Sequence, residues 1–266
     1  FTVCWWEQRG SGISYSRKVT KETMTIGQMI EDATAVTNYL RRRFGKEKIY
    51  VLGHSWGSVL GVLTVQKSPE LFHGYIGIGQ VVCQSKSECL AYSFMVNEFT
   101  AAGDRKMLRR LEKFPIDRGG EVSFQYLAVR SVGMMKLGIG IMHHLDSMSD
   151  CIKIVLRYKG YTLKDKLHFV MGSGLALKCL WDFVMQTDFV KQVPHLEIPV
   201  YIFQGRFDYQ VSYSLAKEFA DTVKAPVKGF YTFENSAHSP CFEEPKKMCH
   251  IIREDVLQGK CGLADG

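Results

Sequence analysis

The sequence predicts an α/β fold: a mostly parallel sheet flanked by helices, with a helical segment inserted part-way along the chain. Three observations predict it. The run Lys48-Ile49-Tyr50-Val51-Leu52 leads into Gly53-His54-Ser55-Trp56-Gly57, and an apolar, helix-competent stretch from Ser58 to Gln66 leads out, so strand, tight turn and helix follow in order. Two more short apolar runs, Pro199-Val200-Tyr201-Ile202-Phe203-Gln204 and Gly229-Phe230-Tyr231-Thr232-Phe233, read as buried strands. Between the first group and the second, apolar residues recur at helical spacing: Leu108, Leu111 and Phe114, then Leu175, Leu180 and Phe183.

Taken in order, Phe1 to Trp6 reads as a strand and the residues after it as a loop. A helix follows, with Arg41-Arg42-Arg43 and Lys46 near its end, where cations suit the helix dipole. The strand–turn–helix unit at Ser55 comes next, then a strand ending near Val82. Residues 84–193 read as a helical cap, so the expected division is 1–83 for the first part of the core, 84–193 for the cap and 194–266 for the second part of the core. Within the cap, the apolar stretch from Val132 to Met142 carries Lys136 and is too short to span a bilayer. Its Gly and Met content suits either a helix facing a pocket or ordinary core packing.

The pentapeptide around Ser55 has the form Gly-x-Ser-x-Gly, which in a strand–turn–helix context is a nucleophile elbow. Glycines on both sides let the backbone bend sharply and the helix pack closely, so the serine oxygen projects from the sheet edge. The helix that follows aims its N-terminal amides at the place where an oxyanion forms, which makes the Trp56 backbone N–H one oxyanion donor. Asp208 lies just past the second apolar run and His238 just past the third, as Ser55 does past the first. In open parallel sheets ligands bind at that edge. Singly, Asp208 reads as a turn residue and His238 as a loop residue. Together, Ser55, Asp208 and His238 have the order and placement of a catalytic triad, with His238 as the base and Asp208 as the group that orients it.

The chain resembles an α/β-hydrolase of the proline iminopeptidase-like branch. Trp6-Glu7-Gln8-Arg9-Gly10-Ser11-Gly12 is similar to that branch's Trp-Asp-Gln-Arg-Gly-x-Gly segment, with Glu7 where the branch usually has Asp. The elbow is similar too, although a second glycine often stands where this chain has His54. The resemblance covers roughly residues 1–82 and 195–250 and leaves the cap without a distinctive motif. It implies that Phe1–Trp6 is the fourth strand of the sheet. It also implies that three earlier strands and the loop carrying the second oxyanion donor lie upstream of Phe1, so that the N-terminal part of the sheet is absent here.

Length and composition agree with an enzyme core. At 266 residues and 46% hydrophobic, the chain can bury one catalytic domain with an insertion. The net charge of +7 is spread along the sequence, and neither Arg41-Arg42-Arg43 nor the set Arg105, Lys106, Arg109 and Arg110 comes with a nucleic-acid motif. The eight cysteines, with no C-x-x-C pair, suggest reduced and mostly buried thiols in a cytoplasmic protein. His143-His144 lacks a third ligand, and neither a metal nor an organic cofactor is implied.

The expected activity is serine hydrolysis of an ester or amide through an acyl-enzyme, on a small-molecule or short peptide substrate, with no membrane span. The resemblance tips the substrate toward that of a prolyl aminopeptidase. Such an enzyme must hold a free α-amino group, for which Glu88, Glu98, Glu112, Glu121 and Asp182 of the cap are available, Glu98 first because it follows Phe94-Met95-Val96. A carboxylesterase of small esters is the alternative within the class. A non-catalytic binding protein on the same fold is the alternative outside it.

Overall fold

A computed structural model describes residues 1–116, 122–144 and 148–265, and the side chains of 148–152 are outside that description. In chain order the elements are α1 (Ile26–Phe44), β1 (Ile49–His54), α2 (Trp56–Lys67), β2 (Phe72–Ile78), α3 (Gln84–Ala101), α4 (Arg105–Leu111), α5 (Phe124–Lys136), α6 (Met148–Arg157), α7 (Leu163–Gln186), α8 (Phe189–Gln192), β3 (Val200–Gly205), α9 (Tyr213–Thr222), β4 (Lys228–Phe233), α10 (Pro240–Glu243) and α11 (Pro245–Glu254). They form two compact units, residues 48–146 with 186–266, and residues 1–47 with 147–185.

The first of these units is built on a four-stranded sheet of order β1-β2-β3-β4, parallel throughout. Parallel strands need long crossovers, and α2, the insertion and α9 supply them in turn. All six residues of β3 are buried, as expected of an inner parallel strand covered on both faces. β1 is one edge of the sheet and is mostly half-buried, with Leu52 exposed. Gly61 lets α2 lie close to the sheet, since a Cβ there would come within 2.7 Å of the Tyr75 ring. Across one face, Ile76, Ile78, Tyr201, Phe203, Tyr231 and Phe233 pack with Ile251 and Ile252 of α11.

Residues between β2 and β3 contribute helices and no strand among the described residues. Helices α3, α4 and α5 share a core of their own, in which Met95, Phe99, Met107, Leu111, Tyr126 and Met134 are buried. This decides between the two readings of Val132–Met142. Met134 and Ile139 are core residues, and Gly133 is small because a Cβ there would meet the Met95 sulfur at 2.8 Å. The strand expected to end near Val82 stops at Ile78, and Val81 and Val82 are buried in the turn beyond it.

In the other unit, Thr25 caps α1 by accepting the Gln28 N–H at 3.2 Å, and Gly45 closes the helix in the left-handed conformation after Arg41, Arg42 and Arg43. The segment Trp6–Gly12 is a folded loop. Glu7 accepts the Ile13 N–H at 2.6 Å and the Tyr161 hydroxyl at 2.7 Å, while Arg9 grips both oxygens of Asp32 at 2.6 Å. The expected strand at Phe1–Trp6 is not formed. No described strand pairs with it, and Phe1, Val3 and Trp5 are exposed, because an extended apolar run has no ladder to hold it without a neighbour. Helix α7 is long and apolar enough, by length and composition, to cross a membrane. Of the seven described cysteines, all reduced, only Cys83 is buried, whereas Cys4, Cys249 and Cys261 are exposed, so the expectation of mostly buried thiols does not hold.

Candidate active site

Ser55 stands between β1 and α2 with φ 56° and ψ −121°, a conformation that costs a non-glycine residue on the order of 1–3 kcal/mol. Its neighbours enforce the bend. The Ser55 N–H donates to the Ile78 carbonyl at the end of β2 (2.9 Å), and the Ser58 N–H and hydroxyl both donate to the Ser55 carbonyl, at 2.8 and 2.6 Å. Gly53 is required, because a Cβ there would lie 2.6 Å from the Gly57 carbonyl carbon. Gly57 is not required in this way, since a Cβ there would meet nothing within 4 Å. Trp56 is the first residue of α2, so its amide belongs to the positive end of the helix dipole.

Asp208 and His238 are brought into direct contact. His238 Nδ1 lies 2.8 Å from Asp208 Oδ2, with both side chains buried. The same carboxylate oxygen accepts from Gln204 Nε2 at 2.7 Å, and Oδ1 accepts the N–H groups of Gln210 and Val211 at 2.9 and 3.2 Å. These contacts fix the plane of the buried carboxylate. His238 thus turns Nδ1 to Asp208 and leaves Nε2 as the ring nitrogen free to face a nucleophile.

His54 of the elbow and Gly79, just past β2, both meet His238. His54 Nε2 lies 2.9 Å from the His238 carbonyl oxygen, and the two imidazoles are 5.0 Å apart. Burial, followed by the nearby His238, pushes the His54 pKa down to about 4, so near neutrality His54 is uncharged and donates Nε2–H to that carbonyl. Gly79, just past Ile78, has φ 53° and lies against the His238 ring, where a Cβ would come within 2.7 Å of Cε1 and Nδ1.

Beneath these groups runs a buried polar chain that the sequence reading missed. Val81 N–H donates to the Ser58 hydroxyl at 3.0 Å, Tyr75 donates to Gln80 at 2.6 Å, and Gln80 N–H donates to Gln204 Oε1 at 3.0 Å. Gln204 therefore links the turn after β2 to Asp208. Its one visible signal was a glutamine at the end of an otherwise apolar strand. A second missed group is the ion pair of Glu88 and Arg130 at 2.7 Å, both buried, where Arg130 also donates to the Gln210 side chain and carbonyl. Burial raises the Glu88 pKa, opposed by Arg130 and by the hydrogen bond from Gln84.

Of the candidate acids between β2 and β3, Glu88 is thus occupied. Glu98 is exposed on α3, one turn after Phe94, whose ring stacks on Tyr209 at 4.2 Å. Burial and then the charge of Glu98 raise the Tyr209 phenol. Glu112 and Asp182 are exposed, and Glu121 lies outside the described residues.

A parallel sheet with a serine elbow and a buried Asp–His pair beyond the strand ends defines an α/β-hydrolase, a serine hydrolase enzyme. The chain belongs to the serine aminopeptidase S33 family, whose pattern matches residues 1–245. It is 33% identical to the probable aminopeptidase YbaC of Bacillus subtilis (strain 168), over 95% of this chain and 79% of that protein. It is 23% identical to a proline iminopeptidase of Saccharolobus solfataricus, over 96% of this chain and 76% of the relative. Among solved structures, the proline iminopeptidase of Mycobacterium smegmatis superposes with a TM-score of 0.58 at 13% identity, covering 90% of this chain and 73% of that one. These comparisons bear out the resemblance to the proline iminopeptidase-like branch.

Proposed function

We propose that this serine hydrolase is a prolyl aminopeptidase-like peptidase whose catalytic residues are Ser55, His238 and Asp208. Ser55 Oγ attacks the scissile carbonyl carbon as His238 Nε2 takes its proton. The Trp56 backbone N–H receives the oxyanion, and His238 then returns the proton to the leaving amine, giving the acyl-enzyme. Water, deprotonated by the same nitrogen, attacks the acyl carbonyl and frees Ser55. The observation that carries this reading is the buried 2.8 Å Asp208–His238 bond, with His54 of the elbow on the His238 carbonyl and Gly79, after β2, close against its ring. The strained Ser55 backbone supports it, since such conformations concentrate at functional sites.

For the substrate, the support is the relatives' names together with Glu98. The insertion's α3 carries Glu98 one turn after Phe94, which stacks on Tyr209, so a substrate ammonium can pair with a carboxylate that binding desolvates. A soluble, cytoplasmic enzyme acting on small peptides goes with this reading. The test compares a prolyl arylamide, its N-acylated counterpart and a short-chain aryl ester. Cleavage of the free arylamide with the blocked one nearly inert is expected. Turnover of the ester alone moves the activity to a carboxylesterase. Glu98→Lys should hurt the free arylamide far more than the ester, because only the arylamide presents an ammonium.

A further inference from the structure

The peptide loop that carries His238 is tied to the insertion through one carboxylate. Glu243, the last residue of α10, accepts the Ala237 N–H at Oε2 (2.9 Å) and the His143 N–H at Oε1 (2.6 Å). Ala237 immediately precedes His238. His143 ends a short run that touches His238 and the residues on either side of Asp208. The His238 N–H donates to the Gly140 carbonyl at 3.2 Å, the Tyr209 N–H donates to the Ile139 carbonyl at 3.2 Å, and the His143 ring stacks flat on Phe207 at 3.8 Å. The ring is itself fixed by a 2.7 Å contact of Nδ1 with the Gly138 carbonyl. Residues 138–143 thus brace the loop of Asp208 and the loop of His238 together, and Glu243 is the side chain that fastens the brace.

We propose that Glu243 is a positioning residue: by holding the amides of Ala237 and His143 on one carboxylate, it sets the distance and direction of His238 against Asp208 and Ser55. This rests on the triad reading above. A base displaced by about 1 Å can cost on the order of a hundredfold in rate, so a side chain that makes no contact with substrate can still govern turnover. A carboxylate suits the task because it offers an acceptor to each of two amides, whereas an amide side chain offers one acceptor and sets its NH₂ against the other N–H.

The test is Glu243→Gln, read by three measurements. Turnover on the prolyl arylamide should fall about ten- to a hundredfold with KM within twofold, as expected when geometry rather than binding is lost. The far-downfield proton resonance of the His238 Nδ1–Asp208 bond, assigned by its loss in His238→Gln, should broaden or vanish. The thermal midpoint shows that the variant is folded. Turnover within twofold of the parent, or a fall in turnover with the resonance unchanged, overturns the proposal. Should Glu243→Gln fail to fold, Glu243→Asp keeps the charge but is one methylene too short to reach both amides. Full turnover in a folded Glu243→Asp overturns the proposal equally. An unchanged rate in Ser55→Ala overturns the triad instead, and the resonance alone then decides whether Glu243 holds His238.

Discussion

At the elbow the backbone itself carries the constraint. Ser55 is held at φ 56° mostly from nearby, by the Ser58 bonds to its carbonyl and by the close approach of Gly53 to Gly57, with one bond from its N–H to the Ile78 carbonyl of β2. The acid–base pair is held differently. Asp208 takes four hydrogen bonds, and the His238 loop is fixed by His54, Gly140 and Glu243, groups that stand far apart in the chain. A nucleophile on a tight turn can thus be set by local sterics, whereas a base whose direction must be matched to two partners is set by the tertiary structure. Substitutions at the elbow should accordingly act on chemistry or on local folding alone. Those around the pair should act through position and protonation.

The largest effect is expected from Ser55→Ala, which should lower turnover on the order of a million-fold with stability nearly unchanged, as in comparable triads. Steady-state kinetics with a folding control check it, and an unchanged rate would mean that another residue does the chemistry. Next is Asp208→Asn, expected to cost about ten-thousandfold in kcat while the fold persists. The amide no longer enforces a proton on His238 Nδ1, so the wrong tautomer presents itself to Ser55. A loss below tenfold would show that the polar cage does not set the tautomer.

A smaller effect sharpens the contrast through pH. His54 has a folded pKa of about 4 against 6.5 when unfolded, so between those values the unfolded chain binds the extra proton. Stability contributed by neutral His54 is therefore complete above pH 6.5 and is lost as pH falls toward 4, by up to roughly 3 kcal/mol. His54→Gln should flatten the denaturation-midpoint profile across that window. A profile identical to the parent's would show that His54 is not held neutral by its burial against His238. Smallest is Gln204→Leu, which leaves the buried Gln80 N–H without its acceptor and removes one donor from Asp208. A loss of about 1–3 kcal/mol in urea unfolding is expected.

The same contrast explains what could be read from the sequence. Ser55 was legible because an elbow needs particular residues in consecutive positions, and β3 and β4 were legible as apolar runs with Asp208 and His238 at their ends. Gln80, Gln204, Glu243 and the Glu88–Arg130 pair were not, because a single hydrogen bond between distant residues leaves no pattern along the chain. Local reading also overreached in two places. Gly57 satisfies the motif without a steric demand for glycine, and Phe1–Trp6 has strand composition without a strand to pair with. The insertion was readable as helical from its spacing, but which of its acids was occupied depended on Arg130, forty-two residues beyond Glu88 in the chain.

The central claim, that Ser55 attacks and His238 activates it, is tested most directly by trapping the covalent intermediate. The protein is treated with a fluorophosphonate that labels activated serines, digested, and the modified residue located by tandem mass spectrometry. The account predicts one adduct, on Ser55, formed rapidly in the parent and at least a thousandfold more slowly in His238→Ala. An adduct on another serine, or labelling of Ser55 at the same rate without His238, would contradict it.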